Sequence, residues 1–328
     1  MNETTLKTKR IAVVGQGVIG LASALRLIER GFSVEIFSKE ELAATTSMSA
    51  GAYWWPHKAY PQNRIVQWAK STHEEYVRLR ADSDSGVHFE KHFRFCIDPD
   101  DSAYVLELVE HWEKIDGARY GVPCGEAYLV VLPVIDVPIF VTRLRERVTQ
   151  HANIHIAEIG NPSELFPDFD LVVNCTGVWA REFVNDPEVF PIRGQVVRVS
   201  RPEGLRESTR IYQNDDALTL VLPRSSDVIL GGTSENGNWD RNPSEADTAD
   251  IIRRCSELVP KISDCEVLGT TVGLRPGRRE VRLELEMLAE HRPVIHNYGH
   301  GGGGYTVAWG CADEVAEIAS DYFAALSD

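Results

Sequence analysis

The sequence predicts an α/β protein in which a parallel, nucleotide-binding βαβ unit is interleaved with a second, α+β unit. Three observations carry this expectation. Residues 11–37 read as strand, glycine turn, helix, strand; a second strand-then-glycine boundary recurs at Leu171 to Gly177; and strand-like stretches fill the section from Gln195 to Asp264. The chain of 328 residues has room for two domains of about 150 residues each. Since the strand signals of the first kind lie far apart, two discontinuous domains are expected rather than two consecutive ones.

The first unit opens with Ile11 to Gly15, a short β-branched apolar run. Gly15-Gln16-Gly17-Val18-Ile19-Gly20 follows, and then Leu21 to Arg30, where apolar residues recur at helical spacing. Gly31 ends that helix and Phe32 to Phe37 reads as the second strand. In such a turn Gly15 permits the tight bend, Gly17 lets the backbone approach a pyrophosphate, and Gly20 lets helix and strand pack closely. Amides at the helix N-terminus then face the phosphates. The bland alternative, a turn that binds nothing, lacks an explanation for the complete βαβ context. An acidic residue about 20 positions on usually takes the ribose. Ser38 and Lys39 stand there, with Glu35 inside the strand and Glu40 just past it, so the ribose contact is open between Glu40 and Ser38 with backbone groups.

Leu171 to Cys175 predicts a third parallel strand of the same sheet. Between the units lies a long section containing Trp68 and Trp112; beyond it, Val228 to Leu230 runs into Gly231-Gly232, and Asn236-Gly237 supplies a turn. No internal repeat or low-complexity tract is present. Near the C-terminus, Gly301 to Gly304 form a run without Cβ atoms, which allows backbone to lie flat against a planar ligand. A hinge is the alternative, but Thr306 to Ile318 reads as a helix, and a glycine loop opening a helix favours an anion.

Composition excludes several classes. Lys plus Arg number 34 against 49 Asp plus Glu, a net charge of -15 that disfavours nucleic acid and anionic membrane surfaces. The most apolar stretch, Tyr128 to Val141, is broken by Pro133, Asp136 and Pro138 and is too short to span a bilayer. Met1 to Arg10 is polar, without an apolar secretory segment, and a cytoplasmic chain is expected. Cys96, Cys124, Cys175, Cys255, Cys265 and Cys311 form no C-x-x-C pair, so free thiols are expected and neither a metal site nor a redox dithiol. His57, His88 and His92 are isolated, and no G-x-S-x-G elbow is present.

Beyond the glycine turn, several motifs stand in a fixed order: Thr45-Thr46-Ser47 with Ala50-Gly51, Asn174-Cys175-Thr176-Gly177-Val178-Trp179-Ala180, Arg193-Gly194-Gln195, Gly231-Gly232-Thr233 with Gly237-Asn238-Trp239, Val272-Gly273-Leu274-Arg275-Pro276, and Val294 to Gly302. Together they resemble the D-amino-acid oxidase family, flavin-dependent enzymes that include D-aspartate oxidase, over nearly the whole chain. The resemblance implies a Rossmann-type domain binding FAD noncovalently, assembled from residues 1–58, 143–190 and 266–328. Residues 59–142 and 191–265 would form a discontinuous α+β substrate and interface domain. It implies cofactor contacts from Gly15, Gly17, Val18, Ile19 and Gly20 at the pyrophosphate, and from Ser38 and Lys39 near the ribose. Thr45, Thr46 and Ser47 would reach the phosphates and ribityl chain, Ala50 and Gly51 the flavin ring, and Ile159 the adenine end. Gly177, Arg275, Gly301, Gly302, Gly303, Gly304, Tyr305 and Thr306 complete the set. Cys311 stands where noncovalent members also have a cysteine.

The resemblance assigns to Arg275 a two-pronged salt bridge with the substrate carboxylate, a geometry lysine does not offer. The chain also departs from the pattern. The usual active-site tyrosine position reads Leu220, and a second aromatic position reads Ser234. Tyr212, Tyr53, Trp54 and Trp55 are candidates to replace them, and Gly302 lies beside the substrate. The implied reaction moves a hydride from the D-amino acid Cα to flavin N5. The imino acid hydrolyses to a 2-oxo acid and ammonia, and oxygen is reduced to hydrogen peroxide. Arg210, Arg224 or His57 would favour an acidic side chain, whereas Leu220 argues for a neutral one. Three other readings compete: a same-fold oxidase of glycine, a secondary amine or a specialised amino compound; a nicotinamide-dependent dehydrogenase, supported by the first βαβ unit alone; and a non-catalytic flavin carrier. The expected partners are a small amino acid and oxygen, with a homodimer left open.

Overall fold

The computed structural model describes residues 9–56, 59–95, 105–122, 126–205, 208–213 and 218–326. His57, Cys96 and Cys124 lie outside the described residues. Two sheets organise the chain. The first has six strands: β1 (Arg10–Val14), β2 (Ser33–Ser38), β7 (Asn153–Ile156), β8 (Leu171–Asn174), β15 (Arg282–Leu288) and β16 (Arg292–Tyr298), in the order β15-β16-β8-β1-β2-β7. β1 pairs in parallel with both β2 and β8, as the repeated strand-then-glycine pattern predicts. Ile11 and Val13 are fully buried in the main core on one face of the sheet, and Ala12 is buried on the other face with Leu165, Phe169 and Phe183.

Helix α1 (Val18–Glu29) returns the chain from β1 to β2 and begins three residues earlier than its apolar periodicity suggests, since Gly17 in extended conformation already serves as N-cap. Against it packs the last helix, Gly304–Ala325, which runs past the predicted end at Ile318 because Ala319 and Phe323 are buried as well. Helix α2 (Gln62–Leu79) crosses that last helix at Gly310. A Cβ there would stand 2.4 Å from both the Cα and the carbonyl oxygen of Trp68, so the two backbones touch. The Trp68 indole N–H donates to Glu314 across the same crossing at 2.7 Å. Residues 62–79, grouped by sequence with the second unit, thus pack on the first.

The second sheet contains β3 (Ala52–Tyr53), β4 (Val87–Phe95), β5 (Trp112–Lys114), β6 (Ala127–Ile135), β9 (Phe190–Ser200), β10 (Ser208–Gln213), β11 (Leu218–Pro223), β12 (Asp227–Gly231), β13 (Glu235–Asn236) and β14 (Val267–Gly277). Its order is β13-β9-β12-β11-β10-β4-β6-β3, with β14 on β9 and β5 on β6. β3 and β14, expected in the nucleotide unit, are strands of this sheet. They carry Tyr53 and Arg275, so the second sheet holds the expected substrate residues.

Several candidates are committed elsewhere. Arg224 is buried and bonds both oxygens of Asp227 at 2.7 Å; with Arg198 nearby, the arginines hold that carboxyl below its ordinary range despite burial. Arg210 stacks over Phe93 at 5.2 Å, and Tyr212 packs against the Phe95, Val122 and Ala127 cluster. Trp54 is fully buried and donates to the Ala69 carbonyl. Cys175, Cys255, Cys265 and Cys311 are free, and burial pushes the Cys175 and Cys255 thiols up to about 12. Among the described residues no helix is long and apolar enough to cross a membrane, and no His/Cys/Asp/Glu group is arranged to hold a metal ion.

Candidate active site

A cavity of about 740 Å³ opens where the C-terminal ends of β1, β2 and β8 meet the second sheet. At one end lies the glycine turn. Gly15 adopts φ +115°, and a Cβ on it would sit 2.3 Å from the Cys175 carbonyl oxygen. Gly20 faces the Gly15 carbonyl oxygen at 1.9 Å from its own would-be Cβ, which brings α1 directly onto the turn. Ser47 Oγ accepts from the Val18 N–H at 2.9 Å. Neither α1 nor the helix after the Gly301–Gly304 run has an acidic residue in its first turn or a capping side chain on its own N-cap residue. Both N-termini border one cavity, leaving first-turn amides other than the Val18 N–H for an anion.

Gly15, Gly17, Val18, Ile19, Ser38, Lys39, Thr45, Thr46, Ser47, Ala50, Gly51, Ile159, Gly177, Gly301, Gly302, Gly304, Tyr305 and Thr306 all line it, as do Tyr53, Trp55, Leu220 and Arg275. Three predicted residues do not. Gly20 is a packing position, the Gly303 N–H turns back to the His300 carbonyl at 2.8 Å, and Tyr212 points into the cluster described above. Ser38 Oγ donates to the Glu40 carbonyl, and Lys39 pairs with Glu158 while its Nζ lies 5.3 Å from the Trp179 ring centre. The Glu40 carboxylate takes Arg241. Gln16 Nε2 also reaches the Glu40 carbonyl, leaving its buried Oε1 without a donor among the described residues.

Arg275 enters from β14. Its guanidinium lies flat on Gly194, where a Cβ would fall within 2.3 Å of Cζ and both terminal nitrogens. Nη1 donates to the Thr233 carbonyl at 3.1 Å, and Gly302 lies beside the Cδ methylene. Burial lowers its pKa, and no carboxylate among the described residues pairs with it. His300, which also borders the cavity, donates its Nε2–H to Asn297 Oδ1 (3.1 Å); burial depresses it to about 3, so it is neutral.

Sequence reasoning missed Gly194, Thr233, Trp179 and Arg94. The first three belong to motifs already noted. Arg94 had a quieter signal: in Val87–Phe95 the polar residues His88, Glu90, His92 and Arg94 share one phase of the strand and Phe89, Phe93 and Phe95 the other. The polar phase faces inward, since Glu90, His92 and Arg94 are all buried.

Gly194 offers a direct test of the Arg275 geometry. Gly194→Ala should leave folding nearly intact, because the atoms displaced belong to the end of a flexible side chain. Turnover should fall by about 10- to 100-fold as the guanidinium moves. Thermal melting beside steady-state kinetics checks both halves.

The family model described as FAD dependent oxidoreductase matches residues 10–129 and 141–318. The chain belongs to that family. Over 320 residues it is 41% identical to a D-amino-acid oxidase of Rubrobacter xylanophilus, covering 97% of each chain. It is 37% identical to a D-amino-acid oxidase of Streptomyces coelicolor, over 97% of this chain and 100% of the other. Among solved structures, glycine oxidase from Geobacillus kaustophilus superposes with a TM-score of 0.78 at 20% identity, over 96% of this chain and 95% of the other; at that identity the likeness is one of fold.

As an FAD-dependent oxidoreductase the chain needs room and contacts for a long dinucleotide. The residues present fit. Two helix N-termini without a capping side chain on their own N-cap residues suit the pyrophosphate, Gly17 and Gly51 line the cavity while their missing Cβ atoms let Ser47 and Ile229 approach, and Gln16 Oε1 awaits a donor. The family match also sets aside a nicotinamide-dependent dehydrogenase, an expectation drawn from the first βαβ unit alone.

Proposed function

We propose that this enzyme oxidises a D-amino acid to the 2-oxo acid, ammonia and hydrogen peroxide. The observation that carries the reading is Arg275, a guanidinium facing the cofactor cavity without a carboxylate partner among the described residues, in a chain 41% identical to a D-amino-acid oxidase. A fork of donors in that position takes the substrate carboxylate through two parallel hydrogen bonds. Thr233 and Gly194 fix its plane from opposite contacts, so the bound carboxylate fixes Cα in turn.

FAD, when bound, supplies the two-electron acceptor for the Cα–H bond and passes the electrons to oxygen. Gly15, Gly17, Val18 and Ile19, with Thr45 to Ser47, would hold its phosphates, and Ala50, Gly51 and the Gly301–Gly304 run its ring. Gly194, Thr233 and Gly302, which contact Arg275, carry no histidine or carboxylate. The reading assigns rate to positioning. A cytoplasmic setting suits the free thiols among the described residues.

Product analysis in air tests the proposal. A D-amino acid should yield 2-oxo acid, ammonia and peroxide in equal amounts, and its L-enantiomer none. Oxidation of both enantiomers at equal rates would overturn it.

A further inference from the structure

A second guanidinium borders the cavity. Arg94, on β4, is 2% exposed, and its Cζ stacks 3.7 Å from the centre of the Trp55 ring and 5.7 Å from that of Tyr53. Its Nε and Nη1 are buried and find no hydrogen-bond partner among the described residues, nor does any described carboxylate pair with it. Glu90 shares its strand face but lies four residues back, about 13 Å along the strand, and is taken by His88 at 2.9 Å. Between them His92 is fully buried, and burial with the adjacent arginine keeps it neutral, so it offers no negative charge.

An enclosed cation lacking an anion is costly to keep, and native structures pair such groups or leave them for a ligand. This cavity has two. Arg275 comes from β14, which hangs on β9; Arg94 comes from β4, four strands away from β9 in the sheet order. They come from different strands, and Tyr53 is a neighbour of both and a side-chain hydrogen-bond partner of Arg94. Leu220, whose apolar character points to a neutral substrate, borders the cavity and also packs on Gly51 and Gly231.

Resting on the D-amino-acid reading above, we propose that Arg94 receives the side-chain carboxylate of the substrate while Arg275 holds the α-carboxylate, so that the preferred substrates are acidic, D-aspartate or D-glutamate. Arg94 is then a specificity residue, and Trp55 keeps its guanidinium in plane by stacking. A neutral isostere would leave Arg94 enclosed without an anion, the situation in which polar sites discriminate strongly.

The test uses the FAD-loaded enzyme, with anaerobic flavin reduction by D-aspartate and D-glutamate measured against their amides, D-asparagine and D-glutamine. The acid should exceed its amide by roughly 100-fold in kcat/KM. Arg94→Met should bring that ratio to about one or invert it, and Arg94→Lys should restore part of it. Should Arg94→Met fail to fold, perturbation of the wild-type flavin spectrum by succinate at lower concentration than by succinamate supports the same point. Amides reduced as fast as acids by the wild-type enzyme, or an acid preference that survives in Arg94→Met, would overturn the inference and leave D-amino-acid oxidation standing. Failure of every D-amino acid to reduce the flavin would overturn both.

Discussion

Arg275→Met should lower kcat/KM for a D-amino acid by about 1,000-fold while FAD remains bound. Two hydrogen bonds to a charged group contribute about 1.5 to 3 kcal/mol each. Losing both removes about 4 kcal/mol, and each 1.36 kcal/mol is tenfold in rate. Methionine fills similar space over Gly194, so the loss reports on the fork rather than on packing. Arg275→Lys should recover only a small part, because a point charge does not hold a carboxylate in one plane. The visible flavin spectrum checks cofactor retention and steady-state kinetics the loss. Turnover within tenfold of wild type would remove Arg275 from the substrate carboxylate.

Gly310→Ala should destabilise the fold by about 3 kcal/mol, even though alanine is the better helix former by about 1 kcal/mol. The added methyl would stand 2.4 Å from the Trp68 backbone, and backbone cannot swing aside as a side chain can. Opening this crossing also strains the Trp68–Glu314 bond and the bond from the Gly310 N–H to Thr72 Oγ1. For a chain of 328 residues the melting temperature should fall by about 4 °C. Gly121→Ala, where a Cβ would meet nothing within 4 Å, serves as comparison despite its positive φ. Its cost should be limited to backbone strain of about 1 kcal/mol.

Contrast between Gly20 and Gly310 shows which parts of the fold were legible in the sequence. Gly20 sits at a fixed offset in a turn whose mechanics are local, so its role in packing helix on strand can be read from spacing. Gly310 is just as tightly approached, but by a helix more than 200 residues away in the chain, and nothing near it in sequence announces the crossing. The same distinction runs through the cavity. Arg275 and the Gly301–Gly304 run border it where their motifs suggest. Arg94 belongs to no motif, and in β4 the polar phase faces inward. Tyr212 fails for the complementary reason: aromatic character alone does not say which face of β10 meets the cavity. The assignment of β3 and β14 to the second sheet depends on long-range pairing with β6 and β9, which local pattern does not encode.

Anaerobic mixing of the FAD-loaded protein with separate pools of D- and L-amino acids, followed by flavin absorbance, tests the central claim most directly. The account predicts bleaching by the D pool and none by the L pool. Bleaching by the L pool, or by neither, would contradict it.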